Sequence, residues 1–306
     1  MRRRVIPLLL LVAVLGGACA SHPAGPTTPD GPDQVTPDDA VKAAGAREAA
    51  RRFVEAYAEA TGPDSTALQA MVGSDLLARW VHWLDIQNRE FPGTISGTVS
   101  SSQIGPAAPF SVSSVPGSEA ILRQVDVAAT VTFSFDPSKG TPETITRSLD
   151  GPMRLILDPR NGWKVLDFTR DGIPLSREFQ TVKGAAATVG GVKVDAVAFL
   201  SVPYWQFGLV VVDPSSGSVD AKRTAIVDAS GTVVSAAKAV TDSLERLLGG
   251  VPTEGLVTFP AASSADALVL RVVVRSPTGR RVTLEIPLSG KISPVPVATS
   301  TPTPSG

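Results

Sequence analysis

Two histidines, one cysteine and four tryptophans bound the chemistry that this chain of 306 residues can offer. His82 stands three residues before Asp85, and at helical spacing an imidazole and a carboxylate so placed share a face. Such a pair can move protons near neutral pH, or it can be a plain surface pair. The face through Arg79, His82 and Ile86 is distinct from the stripe of Trp80 and Leu84, so the surface pair is the expectation. Asp126, Arg154 and Asp167 fall in strand-like stretches, where the spacing of a pocket acid and that of a solvated face read alike. The other histidine, His22, is remote in sequence, which argues against a histidine-based metal site. No Asp-x-Asp-x-Asp-Gly loop, Gly-x-Ser-x-Gly elbow, P-loop or Gly-x-Gly-x-x-Gly turn occurs. The expectation is a protein without metal or cofactor and without enzymatic activity. Its candidate ligand-binding residues are aromatic: Tyr57, Trp80 and Trp83.

Cys19 is the remaining reactive side chain, and its setting is an address. Met1 to Ser21 carries three arginines, an apolar run from Val5 to Leu15 and then small residues, the three-part layout of a secretory signal. The run is too short for a bilayer about 30 Å thick, which takes about 20 helical residues. Leu15-Gly16-Gly17-Ala18-Cys19 resembles the lipobox of bacterial lipoproteins, with Gly16 where that family usually has Leu. The resemblance implies a signal peptide over 1–18 and a diacylated Cys19 at the new N-terminus. Ala18-Cys19-Ala20 also fits an A-x-A cleavage site, which would release a secreted protein from Ser21.

The formal charge of −1 argues against a nucleic-acid partner. Without Arg2, Arg3 and Arg4 the 28 basic residues become 25 against 29 acidic, or −4. That balance argues against adsorption of the folded part to an anionic membrane, leaving the lipid to anchor the chain.

The elements that must position the aromatic residues follow from periodicity. Residues 19–36, rich in Pro, Thr, Gly and Asp, read as a disordered tether, and 292–306 as a disordered tail. Thr36-Pro37-Asp38-Asp39 opens a helix to about Ala60, with Ala46, Ala50, Phe53 and Tyr57 as its buried stripe. Shorter helices are expected over Ser65–Val72 and, capped by Ser74, to about Arg89, where Leu76, Trp80, Trp83, Leu84 and Gln87 share a face. The period then changes to two. Val125 to Phe135 alternate with polar or small residues, Ile145–Leu149 and Met153–Asp158 follow around a break at Asp150-Gly151-Pro152, and Asn161-Gly162 turns into Trp163–Thr169. This is an α+β pattern. The order of elements, Ala49 or Ala50 with Phe53 and Tyr57 on the first helix, the Trp-bearing helix after it and the closing Gly162-Trp163-Lys164-Val165-Leu166-Asp167-Phe168 strand resemble the NTF2-like superfamily, which implies over 37–175 a cone of helices on a curved antiparallel sheet.

After a short connector the chain reads as almost purely β. Strands are expected at Val192–Leu200, Trp205–Val212, Arg223–Val227, Gly255–Phe259, Ala267–Val274 and Arg281–Pro287, with one helix over Ala236–Leu248. Asp228-Ala229-Ser230-Gly231 followed by Gly255-Leu256-Val257-Thr258-Phe259-Pro260 resembles the small immunoglobulin-like (telokin-like) domains appended to bacterial lipoproteins, implying a β-sandwich over 180–291. The composite expectation is an envelope protein on the extracytoplasmic face of the membrane, held there through lipidated Cys19. It presents surfaces to another envelope protein or polymer; the alternative is an NTF2-like pocket that binds, or slowly transforms, a small apolar ligand.

Overall fold

The computed structural model of the chain describes residues 37–110, 120–202, 205–213, 216–260 and 268–288. The expected signal peptide, Cys19, the tether and the tail lie outside the described residues.

Helix α1 (Pro37–Glu59) starts with proline at its first position and Asp38 and Asp39 in its first turn, favourable against the helix dipole. One face is buried as expected, with Ala46, Ala50 and Phe53 fully covered and Tyr57 nearly so. The other carries Arg51 bonded to Glu48 and Glu55. A single turn, α2 (Thr66–Gln69), replaces the longer helix expected to Val72. Helix α3 (Asp75–Glu90) is capped by Ser74, whose Oγ accepts from Leu77 N at 3.3 Å and donates to Leu166 O at 2.9 Å.

These helices lie on an antiparallel sheet in the order β1 (Gly93–Pro109), β2 (Leu122–Pro137), β3 (Glu143–Asp158) and β4 (Gly162–Asp167). Strand β1 carries no periodic apolar signal, because Gly, Ser and Thr fill most of it and it lies at the sheet edge. At Gly97 it crosses so close under α1 that a Cβ would run into the Ala58 carbonyl. The break expected at Asp150-Gly151-Pro152 does not divide β3: Pro152 stays paired with Asp126, and the β4 ladder begins only at Arg154, so the missing proline N–H faces no ladder partner there. Two short strands, β5 (Thr169–Arg170) and β6 (Ile173–Pro174), and one helical turn, α4 (Leu175–Glu178), complete this part.

The rest is β-sheet. Strands β7 (Phe179–Val189), β8 (Val192–Val202), β9 (Trp205–Asp213), β10 (Ser218–Val219), β11 (Ala225–Val227), β12 (Val233–Ala236), β13 (Ala239–Val240), β14 (Thr253–Pro260), β15 (Val269–Arg275) and β16 (Arg281–Pro287) form two antiparallel sheets. One runs β13-β14-β9-β8-β7; in the other β15 pairs with β16 on one side and with β10 and β11 on the other. Both contribute to one apolar cluster, including Val210, Val257 and Phe259 from the first and Ile226, Val272 and Ile286 from the second. The helix expected over Ala236–Leu248 does not form. Backbone donors there are taken by neighbouring strands, Ala237 N to Thr224 O, Lys238 N to Thr258 O and Thr241 N to Leu256 O, which leaves a single turn, α5 (Asp242–Glu245). Tertiary pairing outweighs the helical spacing of Ala236, Val240 and Leu244. Strand β7, in a stretch of Ala and Thr with little hydrophobic contrast, has no counterpart among the expected strands.

A second apolar cluster lies between α1, α3 and the four-stranded sheet, and it includes Phe179, Ala198, Leu200, Leu209 and Leu256 from β7, β8, β9 and β14. The chain is therefore mostly antiparallel sheet with few helices, and its helical part shares a core with the strands that follow it.

Candidate functional site

A cavity of about 280 Å³ opens where α1, α3 and the four-stranded sheet meet β8 and β9. Six aromatic rings border it: Tyr57 from α1, Trp83 from α3, Phe133 and Phe135 from β2, and Trp205 and Phe207 from β9. Leu84, Ile95, Ile145 and Leu200 complete its apolar walls. Tyr57 meets Phe133 edge-on with ring centres 5.3 Å apart, and Trp83 meets Phe207 at 6.0 Å and 70°. Trp205, at 41% exposure, is a large aromatic ring left open to solvent beside it.

Of the three aromatic residues singled out by sequence, two line this cavity and one does not. Trp80 is fully buried, packed against Tyr57 and Phe168 with ring centres 5.6 and 5.2 Å away. It is core. Spacing along α3 separates Trp80 from Trp83 by 300°, too little to show from sequence which of them faces the later strands. Phe133, Phe135, Trp205 and Phe207 come from strands distant in sequence, and only their pairing register gathers them.

The polar groups beside the cavity are engaged with one another. Arg170 donates to Glu178 Oε2 from Nε at 3.1 Å and Nη2 at 2.6 Å, both side chains being almost fully buried. Burial pushes the Glu178 carboxyl up while Arg170 pulls it back down; for Arg170 burial works against the charge, and Tyr57 and Glu178 more than offset it. Arg147 donates to Asp171 Oδ2 at 2.9 Å, and Asp171 Oδ1 accepts from Ser148 N. Asp171 and Gly172, with φ of 51° and 78°, make the tight turn between β5 and β6 that aims this carboxylate. Asn88 Nδ2 is spent on the Ala60 and Gly62 carbonyls. Trp83 Nε1 is buried without an acceptor among the described residues, as is Trp80 Nε1 away from the cavity.

The remaining sequence candidates scatter. His82 does not pair with Asp85: its Nε2 lies 2.7 Å from Glu254 Oε2 on β14, while Asp85 accepts from Ser65 N at 3.0 Å. Asp167 is buried, accepting from Phe168 N and from Ser176 N and Oγ. Asp126 is exposed, and Arg154 lies over the Phe110 ring, 5.0 Å from its centre. Among the described residues no three His, Cys, Asp or Glu side chains gather as metal ligands, and no helix is long and apolar enough to cross a membrane. A larger hollow of about 1100 Å³, bordered by Gln69, Ser74, Asp75, Asp158 and Lys164, has no aromatic side chain among the described residues that line it.

No protein-family model matches this chain, and no curated protein is similar to it.

Proposed function

We propose that this protein binds a small, uncharged, largely apolar molecule in the aromatic cavity, without transforming it, on the extracytoplasmic face of a membrane to which Cys19 anchors it. The observation that carries this reading is the cavity lining: six aromatic rings, with every arginine beside them already answered by a carboxylate. A charged ligand would have to displace Asp171 or Glu178, whereas an apolar one gains burial at no such cost. At about 280 Å³ the space is near the lower bound of ~300 Å³ for ligand pockets, which suits a compact ring system.

The finer architecture belongs to the same reading: an NTF2-like cone over 37–175, its mouth facing an immunoglobulin-like sandwich over 180–291. Helices laid on an antiparallel sheet and two later sheets sharing one cluster support it. In this arrangement the ligand sits between the two parts, so occupancy changes the surface they jointly offer to other envelope components. Native mass spectrometry of the protein purified from its own host tests the binding: the expected result is a bound small molecule that organic solvent strips away. Turnover of the identified molecule by the purified protein would defeat the non-enzymatic part.

A further inference from the structure

The far ends of β8 and β9 from Trp205 carry a second feature, independent of the cavity. Leu248-Gly249-Gly250-Val251 is a tight turn closed by Val251 N donating to Leu248 O, with Gly250 at φ 83°. The turn leaves Leu248 72% and Val251 60% exposed. Register places other loops at the same end. Thr253 pairs with Val212 and Lys193 with Asp213, so the start of β14 lies beside the β7–β8 hairpin, which presents Val189 at 46% exposure. Leu247 bridges to Gly217, and Ser218 pairs with Arg275, which brings in the β15–β16 hairpin.

Three exposed arginines accompany these aliphatic tips. Arg246, Arg275 and Arg280 make no hydrogen bond or ion pair through their side chains with another described residue. Arg281, next to them, is answered by Asp220, and Lys193 by Asp195. The carboxylates nearest to Arg246 in sequence, Asp242 and Glu245, belong to α5, which leads back along β14 toward Leu256. Asp213, opposite Lys193, and the exposed Glu245, next to Arg246, lie at this end as well, so what sets it apart is the placement of three guanidinium groups at the loop tips and not the local balance of charge.

We infer that this loop end docks onto a lipid bilayer bearing anionic headgroups, the aliphatic tips entering the headgroup region and Arg246, Arg275 and Arg280 meeting phosphates. Single side chains protruding from separate turns do not make the continuous area of about 800 Å² per partner that a stable protein interface takes. A bilayer accepts scattered tips and supplies phosphate around each of them.

The test uses the chain from Ser21 to Gly306, which keeps every described residue and carries no acyl group, sedimented with vesicles of phosphatidylcholine alone or with added phosphatidylglycerol. Binding is expected to the anionic vesicles and to weaken with added salt. Each single substitution Arg246→Gln, Arg275→Gln or Arg280→Gln should weaken it about fivefold. Leu248→Ser with Val251→Ser should weaken it about tenfold or more. Val233→Ser, an exposed valine at the opposite end of the sheets, should change nothing. All these side chains are exposed, so unaltered melting shows the fold intact. Absence of binding, or binding that the tip variants leave unchanged, overturns the inference. Binding to soluble polyglutamate but not to vesicles also overturns it and assigns the tip to an acidic protein.

Discussion

Trp83 on α3 stands edge-on to Phe207 on β9, ring centres 6.0 Å apart, and this contact ties the helical part of the chain to the strands that follow it. Both rings also border the cavity, so the feature that joins the two parts is the feature that shapes the site. Trp83→Ala should cost about 3–5 kcal/mol of stability as a large-to-small core change. A double-mutant cycle with Phe207→Ala should recover a coupling of about 0.5–1.5 kcal/mol. Additive losses in chemical denaturation would show that the two rings do not support each other.

The shared core sets how independently the parts fold. A fragment of residues 36–175 keeps its helices and four-stranded sheet but loses Phe179, Leu200, Leu209 and Leu256 from its cluster. It should still unfold cooperatively, at a lower temperature than the same part in the full chain. Equal midpoints would contradict the packing described.

His82 and Glu254 make a pH-dependent contribution. The hydrogen bond to Glu254 lifts His82 above its ordinary 6.5, with burial opposing and Asp85 adding to it, and the same bond holds Glu254 below 4.5. The contribution of the histidine is complete below 6.5 and is lost as pH rises through the lifted value; that of the glutamate is complete above 4.5 and is lost as pH falls through the lowered one. The pair therefore stabilises most between these values. Both side chains are over two-fifths exposed, so screening limits the effect to about 0.2–1 kcal/mol. Denaturation of His82→Gln against the parent across pH 4 to 8, a range that covers roughly both ordinary values, should show a difference peaking in that window. A flat difference would contradict the pair.

Arg170 and Glu178 are the buried counterpart. Glu178→Gln leaves a buried guanidinium without its carboxylate and should cost about 3–5 kcal/mol, whereas Arg170→Met with Glu178→Leu should recover much of the loss. If the single and the double variant unfold at the same denaturant concentration, the pair is not the unit described.

What was legible in the sequence follows from where the signal is local. Helix α1, helix α3 with its Ser74 cap and strand β16 are written in spacing and capping, because one buried face or one side-chain acceptor decides them. Strands β1 and β7 are not, since Ser, Gly, Thr and Ala give little contrast between faces and the strands exist through their neighbours. The same limit applied at the site. Tyr57 and Trp83 stand out as aromatic residues on helices, but Phe207 and Trp205 join them only through the register of β9 with β8 and β14, and Glu254 reaches His82 across 172 positions. Trp205 at the start of the expected strand Trp205–Val212 was the one available hint.

Anchoring is tested at Cys19. The native protein should partition into the detergent phase, and Cys19→Ala should release it to the medium or leave it unprocessed; two acyl chains hold stably where one holds marginally. An intact mass for a mature chain beginning at Ser21 would show secretion instead.

The most direct test of the binding reading is a titration of tryptophan fluorescence with N-phenyl-1-naphthylamine, an uncharged aromatic amine, in the full-length chain and in Ala60→Leu, which fills the cavity from the end of α1. Saturable quenching in the parent that Ala60→Leu weakens at least about tenfold, with melting otherwise preserved, is the predicted result. Quenching that never saturates, or that is the same in both proteins, would contradict it.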